Sequence, residues 1–117
     1  MPRLIQSFLC AINGLVGCIR TEKSMKIHIT VTFLVLIFAM LVKLSTVEWG
    51  LLVFTIFLVL IAETINTAIE KTVDLITKEY HPIAGLAKNL GAGAVLLAAI
   101  NAVIMALVIF GPHLKGL

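Results

Sequence analysis

The chain has 117 residues, a formal net charge of +3, 61% hydrophobic residues and only 13% charged ones. Soluble domains carry about 45–50% apolar and about 25% charged residues. A globule this small has too much surface for its volume to hide such an excess, so the composition excludes a soluble protein and points to an integral membrane one.

Residues 1–26 come first. Leu4, Ile5, Phe8, Ile12, Leu15, Val16 and Ile19 recur at spacings of mainly three and four, with Arg3, Gln6, Ser7, Asn13 and Arg20 as a weak polar face. This pattern predicts an amphipathic helix in the membrane interface, followed by a polar turn, TEKSMK. Cys10 and Cys18 lie about two turns apart on such a helix, too far for a disulfide. No short apolar run followed by a small-residue cleavage site is found, so the first span is expected to serve as an uncleaved insertion signal.

Residues 27–44 form the first predicted span, short for the ~20 residues that cross hydrocarbon, with Lys43 snorkelling at its far edge. Trp49 stands where an interfacial anchor is expected. The second predicted helix, residues 47–79, is apolar to about Ala62 and then continues beyond the hydrocarbon. KEYHP breaks it, because Pro82 disfavours helix at His81. The third predicted span, residues 83–110, ends in 21 uncharged residues from Leu90 to Phe110. Small residues crowd its first half and permit close helix packing, and Gly91 and Gly93 read as packing residues. No GKS or GKT follows them to make a Walker-type loop.

Arg3, Arg20, Lys23, Lys26, Lys71, Lys78 and Lys88 fall on one side of these spans, and Lys43 and Lys115 on the other. The basic-rich side is expected to be cytoplasmic, which places the N-terminus and residues 62–79 inside. Basic and aromatic residues are not interleaved as in nucleic-acid binders, so no nucleic-acid partner is expected. The whole chain, 1–117, reads as one all-α membrane domain.

The chemistry concentrates in residues 62–74, AETINTAIEKTVD. Glu63, Asn66, Glu70 and Asp74 are three, four and four residues apart, within about 80° of one helix face. Acids stacked where a span ends need a cation or a polar partner and read first as a functional site. Glu63 lies nearest the hydrocarbon, placed to act as a general base on a lipid head group. Glu70, with Glu22 from the other polar segment, could hold Mg²⁺ together with phosphate oxygens, and Lys88 could offset phosphate charge. Blander readings stand beside these: i,i+4 pairing of Asp74 with Lys78 on a solvated face, Lys88 as a snorkelling anchor, and His28 and Asn101 as bonds between helices.

AETINTAIEKTVD, EYHPIAGLAK and GAGAVLLAAI resemble the prokaryotic diacylglycerol kinase family of small integral-membrane lipid kinases, which includes the undecaprenol kinases. The resemblance runs from Arg3 to Phe110, and NGLVGCIRTEKSMKIH is closer to the undecaprenol kinase branch. It implies a homotrimer in the bacterial cell membrane, each subunit with a surface helix and three spans. It also implies transfer of the γ-phosphate of Mg-ATP to a lipid hydroxyl at the cytoplasmic interface, undecaprenol or diacylglycerol. By the same resemblance, Glu63 matches the general base, Asn66 a polar residue beside the reaction centre, and Glu22 and Glu70 the metal ligands. Arg3, Cys10, Glu79, Tyr80, His81, Lys88 and Asn89 match positions lining the nucleotide. Asp74 supports the site, and Ala92 with residues 24–28 lies near the lipid.

Two positions depart from the family pattern. Asn89 stands where the family usually has Asp, and Cys10 where a tyrosine is common. Asn89 keeps size and hydrogen bonding but not charge, which leaves a catalytically weakened relative or a non-catalytic scaffold as alternatives. A small proton-coupled transporter of the multidrug-resistance type is the remaining reading from another class. Such proteins have four spans where three are predicted here.

Overall fold

The computed structural model describes residues 2–115. Within them the chain forms four helices: α1 (Pro2–Thr21), α2 (Lys23–Val42), α3 (Thr46–Ile76) and α4 (Pro82–Leu114). All four are long and apolar enough to cross a membrane by length and composition. Large apolar side chains cover the exterior, among them Leu41 at 75% exposure and Phe54 at 70%. An outer surface of this kind suits lipid and not water.

Each helix boundary has a local cause. The polar turn expected after α1 is reduced to one residue. Glu22 leaves helical geometry (φ −97°, ψ 119°), yet its N–H still donates to the Cys18 carbonyl at 2.9 Å and its own carbonyl accepts from Lys26 N–H at 3.1 Å. Helix bonding therefore runs up to the corner from both sides, and Lys23 to Lys26 are helical. Glu22 does not cap α2 with its side chain, which frees the carboxylate for contacts elsewhere.

α3 opens on a capping box. Ser45 Oγ accepts from Glu48 N–H at 3.2 Å, and Glu48 Oε1 accepts from Ser45 N–H at 2.9 Å, satisfying two donors that a helix start otherwise leaves unpaired. α4 begins with Pro82 in its first turn, behind His81, whose Nδ1 accepts from Ile83 N–H at 3.1 Å. α4 passes through Pro112 and ends at Leu114, one turn beyond the predicted end at Phe110. A proline this near the C-terminus removes one bond without breaking a long run.

α3 and α4 form the main packed pair, with α2 more lightly against α3 and α1 touching both. Side-chain contacts run from Asp74–Lys88 at one end to Glu48–His113 at the other, so α3 and α4 are antiparallel. Those end contacts are about 39 Å apart along α3 at 1.5 Å per residue, close to the ~40–45 Å of a bilayer with its head groups. Ala39, Leu52, Ile109 and Phe110 form the buried core, Trp49 packs against it, and Phe38 meets Phe110 with ring centroids 5.1 Å apart. This core lies toward the Glu48–His113 end, leaving the opposite end more open and more polar.

Lys43 does not extend the first span. It is the C-cap of α2 in left-handed geometry (φ 54°, ψ 73°), a position that favours glycine because a Cβ there is crowded. Lys43→Gly should raise stability by about 1 kcal/mol, read as a higher unfolding midpoint of the purified protein in detergent. A fall in the midpoint would show that the lysine is held by something other than its backbone geometry.

Candidate functional site

α3 carries one continuous polar face where its apolar stretch ends. Glu63, Asn66 and Thr67 are buried, at 3%, 7% and 6% exposure. The other helices converge on this face. From α1, Cys18 Sγ lies 3.8 Å from Thr67 Oγ1 and donates to it. From α2, His28 Nε2 lies 3.5 Å from Glu63 Oε2, and Glu22 Oε1 lies 3.1 Å from Lys71 Nζ. From α4, Gly91 abuts Asn66, and Lys88 Nζ donates to Asp74 Oδ1 at 2.6 Å.

The centre of the face is an amide–carboxylate pair. Asn66 Nδ2 donates to Glu70 Oε1 at 3.1 Å, the i,i+4 geometry the spacing predicts. Asn66 Oδ1 is buried with no hydrogen-bond partner among the described residues. A buried acceptor in that state costs about 1–3 kcal/mol unless a donor reaches it. Gly91 permits this packing: a Cβ at position 91 would collide with Asn66 Oδ1 and lie 3.5 Å from Ile69 Cδ1.

Lys88 pairs with Asp74 across the helices and not with solvent alone, and it is Lys88, not Lys78, that takes Asp74. Both side chains stay near half-exposed. Beside this pair, the α3–α4 connection and the first turns of α4 enclose a cleft of about 320 Å³, lined by Glu79, Tyr80, His81 and Lys88 among others. Four residues that the family resemblance assigns to the nucleotide thus share one cleft. Arg3, Cys10 and Asn89 are exposed and make no side-chain hydrogen bond or ion pair among the described residues. Ala92 is exposed on α4, one residue beyond Gly91.

Apolar grooves flank the face. One, of about 360 Å³, lies among α1, α2 and α3, bordered by Ile19, Met25 and Thr64. Another, of about 610 Å³, lies between α3 and α4 and includes Asn66 and Asn101. Asn101, expected to bond between helices, makes no side-chain hydrogen bond among the described residues and instead lines this groove.

No group of three or more His, Cys, Asp or Glu side chains among the described residues is arranged to hold a metal by itself. The donors present suit a hard divalent cation completed by phosphate and water: Glu70 keeps one oxygen free of Asn66, and Glu22 has a cationic partner in Lys71. Sequence reasoning did not identify Lys71 as that partner, the Cys18–Thr67 contact or the Asn66–Gly91 seat. Each joins residues far apart in the chain, with no periodic signal.

The sequence matches the family described as prokaryotic diacylglycerol kinase over residues 9–110. It is 42% identical to an undecaprenol kinase of Bacillus subtilis (strain 168), over 97% of this chain and 93% of that protein. It is 39% identical to a diacylglycerol kinase of Synechocystis sp., over 99% of this chain and 67% of that protein. A diacylglycerol kinase of Escherichia coli (strain K12) is 32% identical over 95% and 91%. The chain belongs to the prokaryotic diacylglycerol kinase family and is a membrane lipid kinase.

Gly91→Ala must push Asn66 off Glu70 or α4 away from α3. Misplacing a reacting constellation by about 1 Å can cost ~100-fold, so lipid phosphorylation should fall roughly 10–100-fold in protein that still purifies folded. Wild-type turnover in this variant would remove Asn66 from the working site.

Proposed function

We propose that this member of the family transfers the γ-phosphoryl group of ATP to the hydroxyl of a membrane lipid alcohol, with undecaprenol favoured over diacylglycerol. The observation that carries the proposal is Glu63, a carboxylate only 3% exposed, at the head of a polar face flanked by apolar grooves. A lipid alcohol brings both parts that such a place accepts, a chain for a groove and a hydroxyl for the acid. The choice of undecaprenol rests on the Bacillus subtilis relative and on the NGLVGCIRTEKSMKIH opening.

In this reading the lipid enters from the bilayer, and its hydroxyl proton goes to Glu63 as the oxygen attacks phosphorus. Asn66 holds Glu70 through its amide. Glu22 and Glu70 would hold Mg²⁺, which supplies charge neutralisation on the phosphates when bound. Glu79, Tyr80, His81 and Lys88 line the nucleotide cleft. Lys88 leaves Asp74 or shares itself between Asp74 and phosphate, offsetting charge that develops there. Arg3, Cys10 and Asn89 complete the nucleotide side, and Ala92 with residues 24–28 the lipid side. Positioning and electrostatics carry phosphoryl transfer, so no covalent intermediate on the chain is needed.

The same reading places α1 in the membrane interface, α2 to α4 across a bacterial cytoplasmic membrane, and the N-terminus and site on the cytoplasmic face. It assembles three copies into a homotrimer. The kinase names of the relatives, at 32–42% identity, give the transporter and scaffold alternatives no support.

ATP-dependent phosphorylation by purified protein in mixed micelles, with undecaprenol and a short-chain diacylglycerol in parallel, tests the proposal. Transfer should require Mg²⁺ and prefer undecaprenol. Glu63→Gln should reduce turnover by about 10²–10⁴-fold, the usual contribution of a general base, while ATP binding persists. Substantial turnover in that variant would refute the base assignment, and a preference for diacylglycerol would refute the substrate.

A further inference from the structure

His28 is the one imidazole within ion-pair reach of the buried acid among the described residues. Its Nε2 lies 3.5 Å from Glu63 Oε2, and its side chain is 23% exposed against 4% for Glu63. It lines a cavity of about 210 Å³ between α2, α3 and α4, deeper in the bundle than the nucleotide cleft.

Among the described residues the His28 ring forms no hydrogen bond or ion pair other than the one to Glu63. Thr32 and Thr55 are the other polar residues of that cavity. Thr32 Oγ1 donates to the His28 carbonyl at 2.8 Å, and Thr55 Oγ1 donates to the Leu51 carbonyl at 2.7 Å, so both hydroxyl protons are engaged by backbone. α4 contributes only Ala99, Ala102 and Ala106 to the cavity, with no titratable group. On α2 itself the nearest charges are Lys23 and Lys26, both exposed. The titratable group facing the imidazole is therefore Glu63.

We propose that His28 is a positioning residue for Glu63 and the acceptor that clears its proton in each turnover. Resting on the reading of Glu63 as base, the step balances as follows. The lipid O–H proton passes to Glu63 as the lipid oxygen forms its bond to phosphorus and the bond from phosphorus to the ADP oxygen breaks. Glu63 then gives that proton to His28 Nε2, in the tautomer that carries hydrogen on Nδ1, and returns to carboxylate. The transfer turns two neutral groups into an ion pair, and the attraction between opposite charges within reach of each other is what favours it. Once Nε2 carries that proton it faces the carboxylate as a donor and holds one oxygen toward α2, leaving the other for the substrate.

Histidine titrates in the physiological range and glutamine does not, so His28→Gln separates the proton role from packing. The test is lipid phosphorylation by the full-length protein, with kcat and KM for ATP measured across pH for wild type, His28→Gln, His28→Leu and Glu63→Gln. Wild-type kcat should fall on acidification, because an imidazole that already carries a second proton cannot accept another. His28→Gln should lose that fall, with kcat lowered about tenfold at neutral pH, less than the ~10²–10⁴ of a whole general base, and with KM for ATP unchanged. His28→Leu should lose kcat at least as far.

Wild-type kcat and pH profile in His28→Gln overturn the proposal. A lowered kcat that keeps the wild-type pH profile overturns it too, because the imidazole then serves only packing. Near-wild-type turnover by Glu63→Gln removes the base reading itself, whereas a dead Glu63→Gln beside an unaffected His28→Gln removes only the role of His28.

Discussion

The structure is organised around a carboxylate kept out of water. Glu63 lies where α3 passes from an apolar to a polar stretch, and it is almost wholly buried. Charge in such a place is costly unless other polar groups face it. Every other helix responds to the face that begins there: Cys18 of α1 at Thr67, His28 of α2 at Glu63, and Gly91 and Lys88 of α4 at Asn66 and Asp74. These contacts fix the rotation of α3. Turning it by one residue, about 100°, would carry Glu63 away from His28 and Asn66 into the apolar surroundings. Apolar packing in lipid does little to prevent such a turn, since lipid is as apolar as the neighbouring helices. The polar face supplies the specificity that packing lacks.

The two ends of the bundle differ in kind. At the Glu48 end, a capping box, the His113 contact at 2.9 Å and the Phe38–Phe110 pair close the helices over the buried core. At the Asp74 end, the helices meet through half-exposed charged pairs around a cleft. Exposed ion pairs hold weakly, commonly by less than about 1 kcal/mol, and exchange partners at little cost. A firmly packed base with a loosely latched polar mouth suits a reaction in which a charged nucleotide must enter and leave. Lys71 on Glu22 and Lys88 on Asp74 are cations already stationed beside acids, and such pairs can reorganise around phosphate without exposing a bare charge.

What was legible in the sequence was what repeats with helical period. The spacing of Glu63, Asn66, Glu70 and Asp74 puts them on one face by geometry alone, and the Asn66–Glu70 bond follows from it. The number of helices and the break at His81 and Pro82 were equally readable, because hydropathy and proline act locally. Contacts between helices were not. His28 reads as a lone polar residue until α2 is laid against α3, and nothing near Lys88 in sequence names Asp74, fourteen positions earlier, as its partner. Boundaries failed where a tertiary contact outweighed a local signal. TEKSMK is polar enough for a turn, yet backbone bonds from Cys18 and Lys26 leave only Glu22 outside helix. The predicted end at Phe110 also fell short: buried Ile109 and Phe110 and the contact between His113 and Glu48 carry α4 on to Leu114.

Gly91 shows how a residue without a side chain can set the geometry of the polar face opposite it. Small residues in the first half of α4 were read as general packing, but they are not equivalent. A Cβ at Gly93 would meet nothing within 4 Å among the described residues, whereas at Gly91 it would strike Asn66 Oδ1. Among the glycines of α4, position 91 is where the backbone lies against the amide that holds Glu70. The amide can retreat only by giving up its bond to Glu70. Close approach of α4 and orientation of the Glu70 carboxylate are thus one constraint. The absence of a side chain on one helix sets the geometry of an acid on the next.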